Sequence, residues 1–234
     1  MKYLACIDIG NTNIVIGFYN QNELYQTSRI ETNELNLNKI NLSRFENIAI
    51  SSVVPKITQR LEKYNPFTIN YMNSQLNLKV DNPKEVGNDR LANIKATIKE
   101  YKLPAIIVDF GSATTYDIIN KDGDFIGGAI APGIDVSAKY LFEKAALLNK
   151  VNFEFPKNVI GENTITNLQS GIMFGGIDAI NGMINRIKIE FDEIIETVIL
   201  TGGFSKTLSP KINFPHILDI NLTIKGIYAI WNDN

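Results

Sequence analysis

Apolar residues along this chain gather in short runs broken by small polar clusters. Tyr3 to Ile7, Ile14 to Tyr19 and Leu24 to Ile30 are three such runs, separated by Gly10-Asn11-Thr12-Asn13 and Asn20-Gln21-Asn22. Short apolar stretches bounded by Asn, Asp and Gly are hairpin signals, so the pattern predicts three successive strands. Shifted by 101 residues the arrangement recurs in Ala105 to Val108, Thr115 to Ile119 and Phe125 to Ile130, with Asn120-Lys121-Asp122-Gly123 at the second turn. Ile7-Asp8-Ile9-Gly10-Asn11-Thr12-Asn13 falls on Val108-Asp109-Phe110-Gly111-Ser112-Ala113-Thr114. Two copies of one strand unit imply a duplicated domain, since solenoid units recur every ~20–50 residues.

Helical spacing follows each set of strands. Leu91, Ile94, Ile98 and Tyr101 share a face over 90–101, before Pro104. Val136, Tyr140, Leu141, Ala145 and Leu148 predict a second helix over 136–148. Thr164 is a suitable N-cap for a long helix running towards Ile189, with Leu168, Ile172, Met173, Ile180, Ile184 and Ile187 as its apolar positions. Glu193 to Leu200 reads as a buried strand ending in Thr201-Gly202-Gly203. This order indicates an α/β protein of two domains, 1–104 and 105–234, each a mixed sheet flanked by helices.

Composition narrows the chemistry. At 234 residues, 44% apolar and 21% charged, the chain can bury a substantial core. Its 23 Lys and Arg are offset by 25 Asp and Glu, which argues against nucleic-acid binding driven by a basic surface. One cysteine, Cys6, and one histidine, His216, exclude disulfide frameworks and Cys- or His-based metal clusters. No apolar run reaches the ~18 residues of a membrane helix, and Asp8 interrupts any signal-like start, so a cytoplasmic protein is expected.

The chemistry concentrates in the repeated Asp-x-Gly turns. Glycine lets the backbone approach an anion, and the N–H groups of such a turn can point at phosphate oxygens. Asp8 would repel a bare phosphate, so it makes sense only with a cation between them, Mg²⁺ being the natural choice. Plain hairpin turns would carry the same residue types. Two copies in register, with Gly202-Gly203 after a third strand, favour a nucleotide gripped from both halves. Neither a Gly-x-x-x-x-Gly-Lys loop nor a Gly-x-Gly-x-x-Gly turn is present.

Asp8-Ile9-Gly10-Asn11-Thr12-Asn13, Gly87-Asn88-Asp89-Arg90-Leu91 and Val108-Asp109-Phe110-Gly111-Ser112-Ala113-Thr114-Thr115 resemble successive motifs of type III pantothenate kinases. So do Gly127-Gly128-Ala129-Ile130-Ala131-Pro132-Gly133, Gly161-Glu162-Asn163-Thr164 and Leu222-Thr223-Ile224-Lys225-Gly226, in order from residue 4 to about 228. The resemblance implies two duplicated ribonuclease H-like domains of the actin-like ATPase superfamily. It also implies ATP-dependent phosphorylation of pantothenate, the first committed step of coenzyme A synthesis. On it, Asp8, Ile9, Gly10, Asn11, Thr12, Asn13, Ile14 and Val15 would hold the ATP phosphates, with Asp8 reaching Mg²⁺ and Ser112 touching ATP. Gly87, Asn88, Asp89, Arg90 and Thr164 would contact pantothenate, Asp89 as general base. Asp109 would bind the monovalent cation, K⁺ or NH₄⁺, and the enzyme would be a homodimer with its sites completed near the subunit interface.

This sequence departs from the family at Asn88, usually Ala, at Ser112, usually Thr, and at Val80, where a tyrosine often lines the acceptor pocket. The segment after Leu147 lacks the usual proline. A kinase for another small hydroxy acid is therefore one alternative, and a nucleotide-binding regulator without catalysis is another. Against the latter stand the intact carboxylates Asp8, Asp89 and Asp109, and the lack of a helix-turn-helix signature or basic stripe. Read alone, Asp89-Arg90 would be a helix start with Asp as N-cap. Cys6 reads as a small buried hydrophobe and His216 as a loop residue. Gly171 and Gly175, one helical turn apart, read either as a weak helix or as close helix packing at a subunit contact, and the resemblance favours the contact.

Overall fold

A computed structural model describes residues 3–33, 41–145 and 147–234. The first three predicted strands are β1 (Tyr3–Ile9), β2 (Asn13–Asn20) and β3 (Glu23–Glu31), an antiparallel meander. β4 (Asn47–Ser52) then runs parallel to β1, and β5 (Phe67–Thr68) parallel to β4, giving the sheet order β3-β2-β1-β4-β5. The second copy repeats this plan with β6 (Ala105–Phe110), β7 (Ala113–Ile119), β8 (Phe125–Pro132), β9 (Thr197–Thr201) and β10 (Ile217–Leu218), in the order β10-β9-β6-β7-β8. Strand for strand the two orders are the same, so the repeat seen in the sequence is a repeat of topology.

Six α-helices accompany the described strands: α1 (Pro55–Leu61), α2 (Asn88–Glu100), α3 (Ile134–Lys144), α4 (Thr164–Glu190), α5 (Ser205–Leu208) and α6 (Leu222–Asn232). By packing, the chain forms two units. One takes Met1–Leu103, Ile119–Gly127 and Asn221–Asn234, and the other takes Pro104–Ile118 and Gly128–Ile220.

In the first unit, alternate residues of β1 and β2 (Ala5, Ile7, Ile9; Ile14, Ile16, Phe18) pack with Ile57 and Leu61 of α1. The opposite face of this sheet is covered by α6, where Tyr228 stacks on Tyr19 with ring centroids 4.3 Å apart. Covering both faces explains why β1 reads as a continuous apolar run. Cys6 is wholly buried there, and burial pushes its thiol pKa well above the ordinary value, so it is an inert packing group. In the second unit, Ile106, Val108 and Phe110 of β6 meet Met173, Ile177, Ile180 and Ile184 of α4. Among the described residues, no helix is long and apolar enough to cross a membrane.

Three local expectations change. Asn163, not Thr164, caps α4: its side chain accepts from the Thr166 N–H, and Thr166 returns a bond in a capping box. An Asn one residue earlier with Thr at N3 satisfies two helix-end donors, which Thr164 alone would not. The second predicted helix ends at Lys144, and its apolar stripe does not face the core: Val136, Tyr140 and Leu141 are exposed, while Ala138 is buried. Helical periodicity locates a stripe without saying whether it points inward. Ala146, inside that expected helix, lies outside the described residues. The strand expected from Glu193 begins only at Thr197.

Candidate active site

Within the first unit, the β1–β2 turn is built from backbone bonds. Gly10 N–H donates to the Asn13 carbonyl at 3.0 Å, and the Thr32 hydroxyl donates to the Gly10 carbonyl at 2.7 Å. Asn11 and Thr12 are left exposed at its tip, whereas the side chains of Ile9 and Ile14 are wholly buried in the core. Any ligand of this turn therefore meets backbone and small polar groups rather than those isoleucines. Asp8, just before the turn, pairs in register with Ser51 of β4, whose hydroxyl donates to Asp8 Oδ1 at 3.1 Å.

The next residue, Ser52, links this turn to the second motif. Its carbonyl accepts from the Asn88 side-chain amide at 3.3 Å, tying the start of α2 to the end of β4. Asn88, where the family usually has Ala, thus has a local role in holding the helix. Sequence reasoning passed over Ser51 and Ser52; the only signal was two hydroxyl residues closing the apolar run Ile48 to Ile50. The N-cap of α2 is Gly87 rather than Asp89, and it makes no side-chain cap. Asp89, inside the first turn, accepts from the Arg90 N–H at 2.8 Å. A Cβ at residue 87 would sit 2.6 Å from Asp89 Oδ1, so glycine there leaves room for the carboxylate. The Arg90 guanidinium lies 5.4 Å above the ring of buried Phe125. Phe125 is itself fixed by backbone bonds to Asn77 and Lys79.

In the second unit the equivalent turn is one residue tighter, Gly111 N–H donating to the Ala113 carbonyl at 3.0 Å. Asp109, the last residue but one of β6, lies opposite Thr201 of β9. Gly202, with φ +88°, passes so close to Asp109 Oδ1 that a Cβ there would collide with it. Gly133 packs on the same turn, a Cβ there falling 2.5 Å from the Gly111 carbonyl oxygen. Ser112 and Thr164 are both exposed. The helix that Thr164 opens, α4, lines a largely apolar cavity of about 430 Å³ with Tyr116, Ile134, Leu141, Leu168 and Gly171. Burial pushes the Tyr116 hydroxyl up to about 12, so it stays neutral. His216 is held in its loop by Ser209 and the Phe214 carbonyl, each at 2.8 Å.

Among the described residues, no group of three or more His, Cys, Asp or Glu converges on a metal-sized space. The donor sets are single carboxylates beside backbone turns. That suits a magnesium ion carried mainly by phosphates.

The family model of type III pantothenate kinase matches residues 4–186. Among solved structures, a protein described as a Baf family transcriptional activator from Campylobacter jejuni is 24% identical. The match covers 97% of this chain and 96% of that one, with a TM-score of 0.61. The activator of 2-hydroxyisocaproyl-CoA dehydratase from Clostridium difficile, solved with bound ADPNP, is 13% identical. It covers 98% of this chain and 95% of that one at a TM-score of 0.60. These likenesses establish the fold: two mixed five-stranded sheets flanked by helices, of the actin-like ATPase type.

Proposed function

The chain belongs to the type III pantothenate kinase family, and from that premise we propose that it transfers the γ-phosphoryl group of ATP to the primary hydroxyl of pantothenate. The observation carrying this reading is the junction at Ser51-Ser52, which ties Asp8 and the helix bearing Asp89 to adjacent residues of one strand end. An acceptor alcohol is a poor nucleophile. Its oxygen bonds to the γ-phosphorus as the bond to ADP breaks, and its proton passes to the Asp89 carboxylate. Arg90, seated on Phe125, offers a planar fork to the acceptor's carboxylate or to a phosphate.

The turn from Asp8 to Val15 would hold the ATP phosphates, chiefly through backbone N–H groups, and Ser112 is the further ATP contact that the family resemblance implies. Magnesium, when bound, neutralises phosphate charge, and Asp8 is the protein group that would reach it. The Asp109 carboxylate, against which Gly202 packs without a side chain, would hold K⁺ or NH₄⁺. Gly87 and Asn88 would contact the acceptor in the first unit, Thr164 is the acceptor contact that the family resemblance implies on α4, and a second copy of the chain would cover the exposed face of that helix.

Turnover of ATP to ADP with and without pantothenate, at fixed K⁺, tests the reading. Pantothenate-dependent turnover is expected, and a preference for another hydroxy acid in a panel of alcohols would redirect it. Val80, half-buried where the family often has tyrosine, is the feature that keeps such a panel worth running.

A further inference from the structure

The segment Leu222-Thr223-Ile224-Lys225-Gly226 lies beyond residues 4–186 and takes no part in the chemistry above. It opens α6, and three of its five residues touch α2. The Thr223 hydroxyl donates to Asn93 Oδ1 at 2.8 Å, and Asn93 is fully buried. Lys225 pairs with Glu100 at 2.7 Å. Gly226 crosses α2 so closely that a Cβ would collide with the carbonyl of Ala92, a backbone group that cannot turn aside. On the opposite side Ile224 presses against Gly17 of β2, again with no space for a Cβ. Just past α6, Asp233 pairs with Lys95 at 2.9 Å and Lys99 at 3.1 Å. The last helix is therefore wedged between the sheet and α2, and fastened to α2 from residue 92 to residue 100.

Ala92 and Asn93 stand three and four residues after Asp89, one helical turn, or about 6 Å along the axis. Whatever sets their position sets the first turn of α2. We propose that Thr223 and Gly226 are positioning residues for phosphoryl transfer, holding Asp89 in place through Asn93 and Ala92. This rests on Asp89 acting as the base. Thr223 selects the rotation of α2 through a directional bond to a buried amide, and Gly226 sets how near the helix axes approach. Displacing a reacting group by about 1 Å can cost on the order of 10² in rate, so a modest shift of α2 has a large kinetic effect without touching substrate.

The test uses Thr223→Val, which keeps the shape and removes the hydroxyl, and Thr223→Ser, which restores it, each with and without Asp89→Asn. Thr223→Val is expected to lower kcat about tenfold with the KM for ATP within about twofold, and Thr223→Ser to recover most of the loss. With Asn at 89, adding Thr223→Val should change the residual rate less than about twofold, because the group being positioned is gone. Wild-type kcat in Thr223→Val, or the same tenfold loss with Asn at 89, overturns the proposal. Failure of the base assignment looks different: Asp89→Asn alone would keep wild-type turnover. The positioning claim is then read from a crystal structure of Gly226→Ala, or of Thr223→Val if the former does not fold. Displacement of the Asp89 carboxylate by about 1 Å supports it, and an unmoved α2 overturns it.

Discussion

The Ser51 hydroxyl donates to Oδ1 of Asp8 at 3.1 Å, across two parallel strands and 43 residues of sequence. Ser51 is fully buried, so the bond orients one carboxylate oxygen of Asp8 from within the sheet. A hydrogen bond to a charged group contributes about 1.5–3 kcal/mol. Ser51→Ala should therefore raise the KM for Mg·ATP about tenfold while leaving the acceptor KM nearly unchanged. Steady-state kinetics in both substrates checks this, and an unchanged KM for ATP would detach Ser51 from the phosphate turn.

Asp89→Asn keeps the shape of the side chain and its bond from the Arg90 N–H, and removes the proton acceptor. Loss of a general base costs on the order of 10²–10⁴ in rate. Calorimetric ATP affinity should be retained while turnover falls by that range. Activity within a few-fold of wild type would remove Asp89 from the chemistry.

Gly202 and Asp109 make a joint prediction about salts. Replacing K⁺ by Na⁺ should slow the wild-type enzyme, and Asp109→Asn should abolish most of that difference. Gly202→Ala should do the same, because its Cβ would collide with the Asp109 carboxylate and the Phe110 backbone and so displace the carboxylate, and its φ of +88° disfavours any side chain. Equal wild-type rates in KCl, NaCl and a bulky organic chloride would eliminate the cation site.

On α4, a Cβ added at Gly171, Gly175 or Gly182 would meet nothing within 4 Å beyond the adjoining backbone of its own helix. Several helix-interior glycines cost about 1 kcal/mol each relative to alanine, and a two-fold related copy of α4 would offset that by close packing. Gly171→Leu should shift light scattering from dimer to monomer and lower activity with it, since Thr164 opens the same helix. A fully active monomer of the wild-type protein at micromolar concentration would refute this interface.

The Asp233 carboxyl is held below the usual carboxylate range, first by the hydrogen bond from Lys95 and then by Lys99, with partial burial opposing them. A depressed folded-state value stabilises the fold above the unfolded carboxylate pKa of about 3.9, and this is lost as pH falls through the folded value. Urea midpoints should therefore fall more steeply from pH 5 to pH 3 in wild type than in Asp233→Asn, the two curves converging at the acid end. Parallel curves would show that the ion pair leaves acid stability unchanged.

The duplicated strand unit, the two Asp-x-Gly turns and the long helix ending near residue 190 are determined by local sequence. Runs broken by Asn and Gly encode hairpins, and a 3.6-residue period encodes a helix, wherever the segment is placed. The tertiary structure decided the rest, because it depends on partners far away in the chain. Nothing local to Ser51 names Asp8, nothing in Gly87 shows that its missing Cβ makes room for Asp89, and the stripe Val136-Tyr140-Leu141 carries no sign of which way it faces. The same holds for Gly226, an unfavourable residue inside a helix until Ala92 of α2 is seen pressed against it. Periodicity is a property of neighbours in sequence, whereas burial and close approach are properties of neighbours in space.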